Sequence, residues 1–429
     1  MVLRAIARRL PGGVHYSWIV AAVTFLTLLA AAGIRATPSI LIVPLEAALG
    51  WSRGIISLAI AINIALYGLM GPFAAALMQQ IGIRRTVMLA LALLVASIAA
   101  SSFMTAPWQL VLSWGIAVGL GSGVTALVLG ATIVNRWFNR HQGLVMGIIT
   151  ASTATGQLVF LPMLAAVAER SGWRPVVWIV AAVAAAMIPL VALLLPETPE
   201  SIGLRPFGAG NEAPDAATAR ANPIMVAIGT LGRVSRVPAF WLLVASFFVC
   251  GASTNGLIGT HLISYCVDHG ISEVHGASLL AAMGVFDLVG TTLSGWLSDR
   301  YDNRWLLFWY YGLRGLSLLY LPYSGFSLVG LSVFAAFYGL DWIATVPPTV
   351  RLIRNIFGKA DAPVVFGWVL AGHQLGAGAI AIESGLLHTW LGSYYVPVLI
   401  SGALCIATAI LVLQIGRGRA EGRLAPAPA

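Results

Sequence analysis

The chain has 429 residues, 59% of them apolar and 9% charged, with a formal net charge of +9. Soluble domains carry about 25% charged residues, so this composition cannot build a water-facing surface, and a soluble enzyme or soluble binding module is excluded. The chain belongs in a lipid bilayer.

Reading from the N-terminus, apolar runs of about 20 residues mark candidate membrane helices. Twelve are expected: six near 16–46, 52–79, 86–104, 108–133, 141–168 and 173–195, and six near 238–266, 274–298, 304–322, 327–351, 362–388 and 393–414. The first contains LLAAAGIRATPSILIVPLE, which places Arg35 inside an otherwise oily helix. Between the two sets lies a segment opening ETPESIGLRPFG, rich in Pro, Ala and charge, which reads as a loosely ordered linker. The expected organisation is a six-helix bundle over 1–196, a linker over 197–237, a second six-helix bundle over 238–416 and a disordered tail over 417–429.

The cations set the orientation. Of the 24 Lys and Arg, nineteen fall on the side that would hold both termini, and Arg53, Arg170 and Arg174 fall on the other. This positive-inside bias predicts cytoplasmic termini. It also accounts for the net charge without a nucleic-acid partner. Reading the first run as a cleaved signal peptide would reverse that alternation, so it is rejected. Cys250, Cys266 and Cys405 form no close pair and suggest neither a disulfide framework nor a metal site.

The two sets repeat each other. An offset of 220 residues places Gly119 on Gly339, Thr125 on Thr345, Gly147 on Gly367, Gly156 on Gly376 and Arg84 on Arg304. Parallel repeats of this kind imply two bundles related by an axis along the membrane normal, with a site between them near the midplane.

The loop GWLSDRYDNR at 295–304, with a weakened copy ALMQQIGIR at 76–84, resembles the G-x-L-x-D-R-x-G-R-R loop of the major facilitator superfamily. That resemblance implies a fold of twelve helices in two pseudo-symmetric bundles and gives Asp299, Arg300 and Arg304 a gating role. Gln79 and Gln80 replace the charged residues in the first copy, so the gate should lean on the second. ATPSILIVPLEAALG is similar to the first span of the monocarboxylate porter branch, which includes oxalate:formate antiporters. Animal members place a substrate-binding lysine where this chain has Ser39, and Arg35 stands one helical turn earlier, on the same face. They also carry Asp-x-x-x-Arg in the eighth span; here Asp287 is present and Thr291 takes the arginine's place.

A charge at the centre of a span costs about 2.5–3.5 kcal/mol on insertion scales, so each one needs a partner or a purpose. Arg35, Asp287, Arg314, Asp341 and His373 fall near mid-span, and Glu383 nearer the outer end of the eleventh. Arg314 is expected to neutralise Asp341 or Asp287, a structural pairing. Asp341 precedes Pro347 and Pro348, a helix break suited to a mobile gate, and joins Asp287 as a proton-coupling candidate. His373 sits in the glycine-rich AGHQLGAG. The repeat offset maps Arg35 to Asn255, Asp287 to Tyr67 and His373 to Thr153. Arg35, Ser39, Tyr67, Thr153, Asn255 and His373 are therefore the expected substrate contacts. His261, His269, His275 and His388, near loops, are expected to carry no chemistry.

These residues suit a small carboxylate held by Arg35, with Asp287 carrying the proton, because burial favours the uncharged form of a carboxyl group. The expectation is a proton-coupled symporter of a monocarboxylate, working as a monomer in a bacterial inner membrane and requiring no cofactor. Its alternatives are an organic anion exchanger, a polyspecific efflux pump, or an anion sensor that does not transport. No Walker loop, Ser-His-Asp set or metal-ligand spacing suggests ATP-driven export or catalysis.

Overall fold

The structure, a computed structural model, describes residues 15–209 and 223–416. The basic N-terminal residues, the middle of the linker and the 417–429 tail lie outside the described residues, as do the side chains of Gln79 and Lys359. In lipid every backbone N–H and C=O must be satisfied within the protein, which leaves helices as the solution for apolar runs of this length. Among the described residues, ten helices are long and apolar enough to cross a membrane, beginning with Ser17–Leu49 and ending with Tyr395–Val412. The ninth expected span is the aromatic helix Asn303–Tyr320. The tenth is broken: Leu328–Leu340 stops, residues 341–345 turn, and helix resumes at Val346 with prolines in its first turn, where a missing N–H costs nothing.

Glycines make the repeat physical. A Cβ on Gly119 of the fourth span would lie 3.0 Å from the Asn63 backbone of the second, and one on Gly339 of the tenth would lie 2.8 Å from the Met283 carbonyl of the eighth. Asn63 and Met283 are themselves related by the 220-residue offset, so the same residue pair brings the same helices together in both bundles. Gly156 likewise admits the first span against the fifth, and Gly376 admits the seventh against the eleventh. Between the bundles, the second span packs on the eleventh and the fifth on the eighth.

The linker departs from its expected looseness. PIMVAIGTLGRV forms the helix Pro223–Val234, whose Ile224, Ala227 and Ile228 share a groove with Gly68, Phe73 and Trp368. Trp368 Nε1 donates to the Ala227 carbonyl at 3.0 Å, and Arg233 pairs with Asp361 at 3.1 Å. Apolar residues spaced three and four apart give one sticky face, a signal that the Pro- and Ala-rich surroundings obscured.

Candidate functional site

Between the bundles lies a cavity offering about 80 Å³ to water centres. Since roughly 10–15 Å³ admits one water, the cavity has room for several. Arg35, Ser39, Tyr67 and Asn255, four of the six expected contacts, line it. Arg35 donates through Nη1 to the Tyr67 hydroxyl at 3.1 Å, with its guanidinium carbon 4.7 Å from that ring's centroid. Among the described residues Arg35 makes no ion pair with a carboxylate. Ser39 spends its hydroxyl on the Ala36 carbonyl at 2.7 Å. Asn255 sits on a π-helical stretch, Ala252–Ile258, an irregularity frequent at functional sites.

Thr153 and His373 are not among the lining residues; Gln157 and Gln374 are. Gln157 is one turn beyond Thr153. Gln374 is the next residue after His373, rotated by about 100° around the helix. The His373 ring instead turns to the seventh span, 5.8 Å from the Phe247 centroid. The repeat offset pointed to helices that line this cavity, but the residues that line it there are Gln157 and Gln374, whose side-chain amides were not singled out in the sequence. Asn63, Thr260 and Trp342 complete the polar and aromatic lining, Asn63 donating to the Trp114 carbonyl at 2.6 Å.

The remaining intramembrane charges gather at the break in the tenth span. Arg314, fully buried, donates through Nε to Asp341 at 2.7 Å and through Nη1 to Cys250 Sγ at 2.9 Å. Its Nη2 reaches the carbonyls of Asp341 and Trp342, at 2.5 and 3.2 Å. Asp287 Oδ1 accepts from the Ile343 N–H and from Thr291, both at 2.8 Å. Ser294 donates to the Ala344 carbonyl at 2.5 Å. A broken helix exposes backbone groups that would cost several kcal/mol each in hydrocarbon; these side chains satisfy them. Neither Asp287 nor Asp341 lines the cavity, but Trp342, held between their contacts, does.

Of the residues expected to gate, Asp299 pairs with Arg351, Arg300 lies over the Trp296 ring, and Arg304 reaches Asp302 and the Ile415 carbonyl. All these contacts stay within the second bundle. Bridges between bundles occur instead at the ends opposite the chain termini. Arg53, 6% exposed, donates to Glu46 at 2.7 Å and through two nitrogens to Asp268 at 2.9 and 2.8 Å. His388 contacts both Arg53 and Asp268, Tyr394 contacts Arg53, and His261 reaches Tyr394. Gly54 N–H donates to Thr389 and Val274 N–H to Glu169, again across the bundles. Thus His261 and His388, expected to carry no chemistry, join a polar network between the bundles, the Arg53 lock. Sequence order hid it, because its members come from five separate helix ends.

Two helical bundles enclosing a polar, cation-bearing cavity near mid-span are the architecture of secondary membrane transporters. Comparison with known proteins agrees. The sequence model of the Major Facilitator Superfamily matches residues 23–350 and 268–429, and the chain belongs to that superfamily. An uncharacterised transporter of the superfamily from Bacillus subtilis, YcxA, is 24% identical over 400 residues, covering 91% of each chain. Monocarboxylate transporter 13 of Bos taurus is 25% identical over 395 residues, covering 91% of this chain and 87% of its own. Among solved structures, a bacterial homologue of the human lysosomal transporter Spinster, inward-facing and occupied, superposes with a TM-score of 0.77 at 14% identity, over 97% of this chain and 100% of its own. A D-xylose-proton symporter superposes with a TM-score of 0.72 at 14% identity, over 93% and 98%. At such identities the structural likeness speaks for the fold alone.

Proposed function

We propose that the protein is a secondary transporter of a small organic anion, a monocarboxylate, coupled to protons. The observation that carries this reading is Arg35: a cation in the middle of the membrane, without a carboxylate partner among the described residues, facing a cavity lined by hydrogen-bonding groups. A carboxylate bound by its planar fork would complete the charge balance. The relatives named as monocarboxylate transporters support the substrate class.

Residues 1–196 and 238–416 would move as the two rocking bodies, with the Arg53 lock joining them on the external side. Asp287 is the proton carrier in this scheme. Protonation would change its hold on Ile343 N–H and Thr291, and Ile343 adjoins Trp342 in the cavity wall, so a proton would be felt where the anion sits. Asp341, by contrast, is committed to Arg314.

Reconstituted into liposomes, the protein should accumulate a small carboxylate against its gradient when the outside is acidic. Asp287→Asn should abolish that accumulation while preserving exchange of labelled for unlabelled anion, because the amide mimics the protonated acid. Proton-driven accumulation undiminished in Asp287→Asn would remove Asp287 from coupling, and wild-type uptake that requires an internal counter-anion and ignores pH would establish exchange instead.

The proposed orientation has its own check. A reporter fused near residue 215 should read as cytoplasmic and one within 267–274 as external; the reverse would invert the assignment.

A further inference from the structure

Among the described cavity-lining residues, Gln374 stands out for an amide oxygen that is buried and unpartnered. Gln374 is 6% exposed, lines the cavity, and its Oε1 is buried without a hydrogen-bond partner. Its side-chain stem is wedged against the second span at Gly68, where an added Cβ would collide with the Gln374 Cβ and Cγ. The amide is therefore held in place by packing, not by a hydrogen bond. Leaving a buried polar group unsatisfied costs about 1–3 kcal/mol, and groups left in that state call for an explanation. A leucine would fill the same space without the cost.

We infer that Gln374 is a specificity-determining residue that reads a hydroxyl on the transported anion, opposite the carboxylate held by Arg35. This rests on the carboxylate reading above. Which end of an amide is oxygen is assigned from its hydrogen bonds, and here none decides it. A hydroxyl both donates and accepts, so it satisfies whichever end faces the cavity, whereas an unsubstituted alkyl chain satisfies neither. The cavity has room for a short-chain hydroxycarboxylate. Gln374 belongs to the second bundle and Arg35 to the first, so an anion engaging both would bridge the bodies that must close around it.

The test compares matched anions differing only by the hydroxyl, glycolate with acetate and 2-hydroxybutyrate with butyrate, by calorimetry and thermal unfolding of the purified full-length protein. Wild type should bind the hydroxylated member of each pair at least about tenfold more tightly, since a site built to hydrogen-bond a hydroxyl rejects its absence. Gln374→Leu should bring that ratio near one by weakening the hydroxylated member alone. The same variant should unfold at a higher temperature than wild type without ligand, because the orphaned amide is gone; a purely structural glutamine would lower it. Gln374→Asn, which retains the amide on a shorter stem, should recover part of the preference. An unchanged ratio in a folded Gln374→Leu, or a wild-type ratio near one with both anions binding, overturns the role of Gln374 and leaves the anion site standing. If neither pair binds to wild type, the carboxylate reading and this inference fall together.

Discussion

Arg35→Gln should lose most anion affinity while folding and inserting normally. One charged hydrogen-bonded contact is worth roughly 1.5–3 kcal/mol, or about a 10- to 150-fold rise in Kd for acetate or glycolate. Among the described residues the guanidinium donates to the Tyr67 hydroxyl and pairs with no carboxylate, so its removal strands no acid there. Arg35→Lys should recover only part of the loss, because a point charge cannot offer two parallel donors. Arg35→Ala combined with Ser39→Lys should transport better than Arg35→Ala alone: both positions line the cavity one turn apart, and Ser39 is tied only to its own helix's Ala36 carbonyl. A well-folded Arg35→Gln that binds as tightly as wild type would sink the binding role.

The other buried arginine should behave in the opposite way. Arg314→Met leaves the Asp341 carboxylate buried without its cation and frees the carbonyls of Asp341 and Trp342 at the helix break. Removing one partner of a buried pair typically costs 3–5 kcal/mol, so we expect a large fall in unfolding temperature and in yield from the membrane. Adding Asp341→Asn should restore the portion due to the stranded charge and not the portion due to the two carbonyls, leaving the double variant between the single variant and wild type. An Arg314→Met protein as stable as Arg35→Gln would show that the break does not depend on this side chain. The pair of experiments separates two arginines that composition and depth alone render equivalent.

That equivalence marks the boundary between what was legible in the sequence and what was not. Apolar run length, cation placement and the 220-residue repeat led to the bundle architecture because they report on terms acting one residue at a time: transfer into hydrocarbon, attraction to one side of the membrane, and glycine's lack of a Cβ. Arg35 was legible for the same reason, as a charge whose burial cost demands a purpose. The recurrence of Gly119 against Asn63 and Gly339 against Met283 shows how far such a pattern reaches into packing.

Which partner each polar group takes was decided only in three dimensions. His373 and Gln374 are neighbours in sequence, yet about 100° of helical rotation sends one toward Phe247 and the other into the cavity. Depth singled out Asp287, but that it accepts from Ile343 N–H at the tenth-span break follows only from the fold. The Arg53 lock unites residues as far apart as Glu46 and Tyr394. Hydrogen bonds and ion pairs act over about 3 Å and depend on direction, so helix rotation and the approach of distant helix ends determine them, whereas burial cost and side-chain size can be read along the chain.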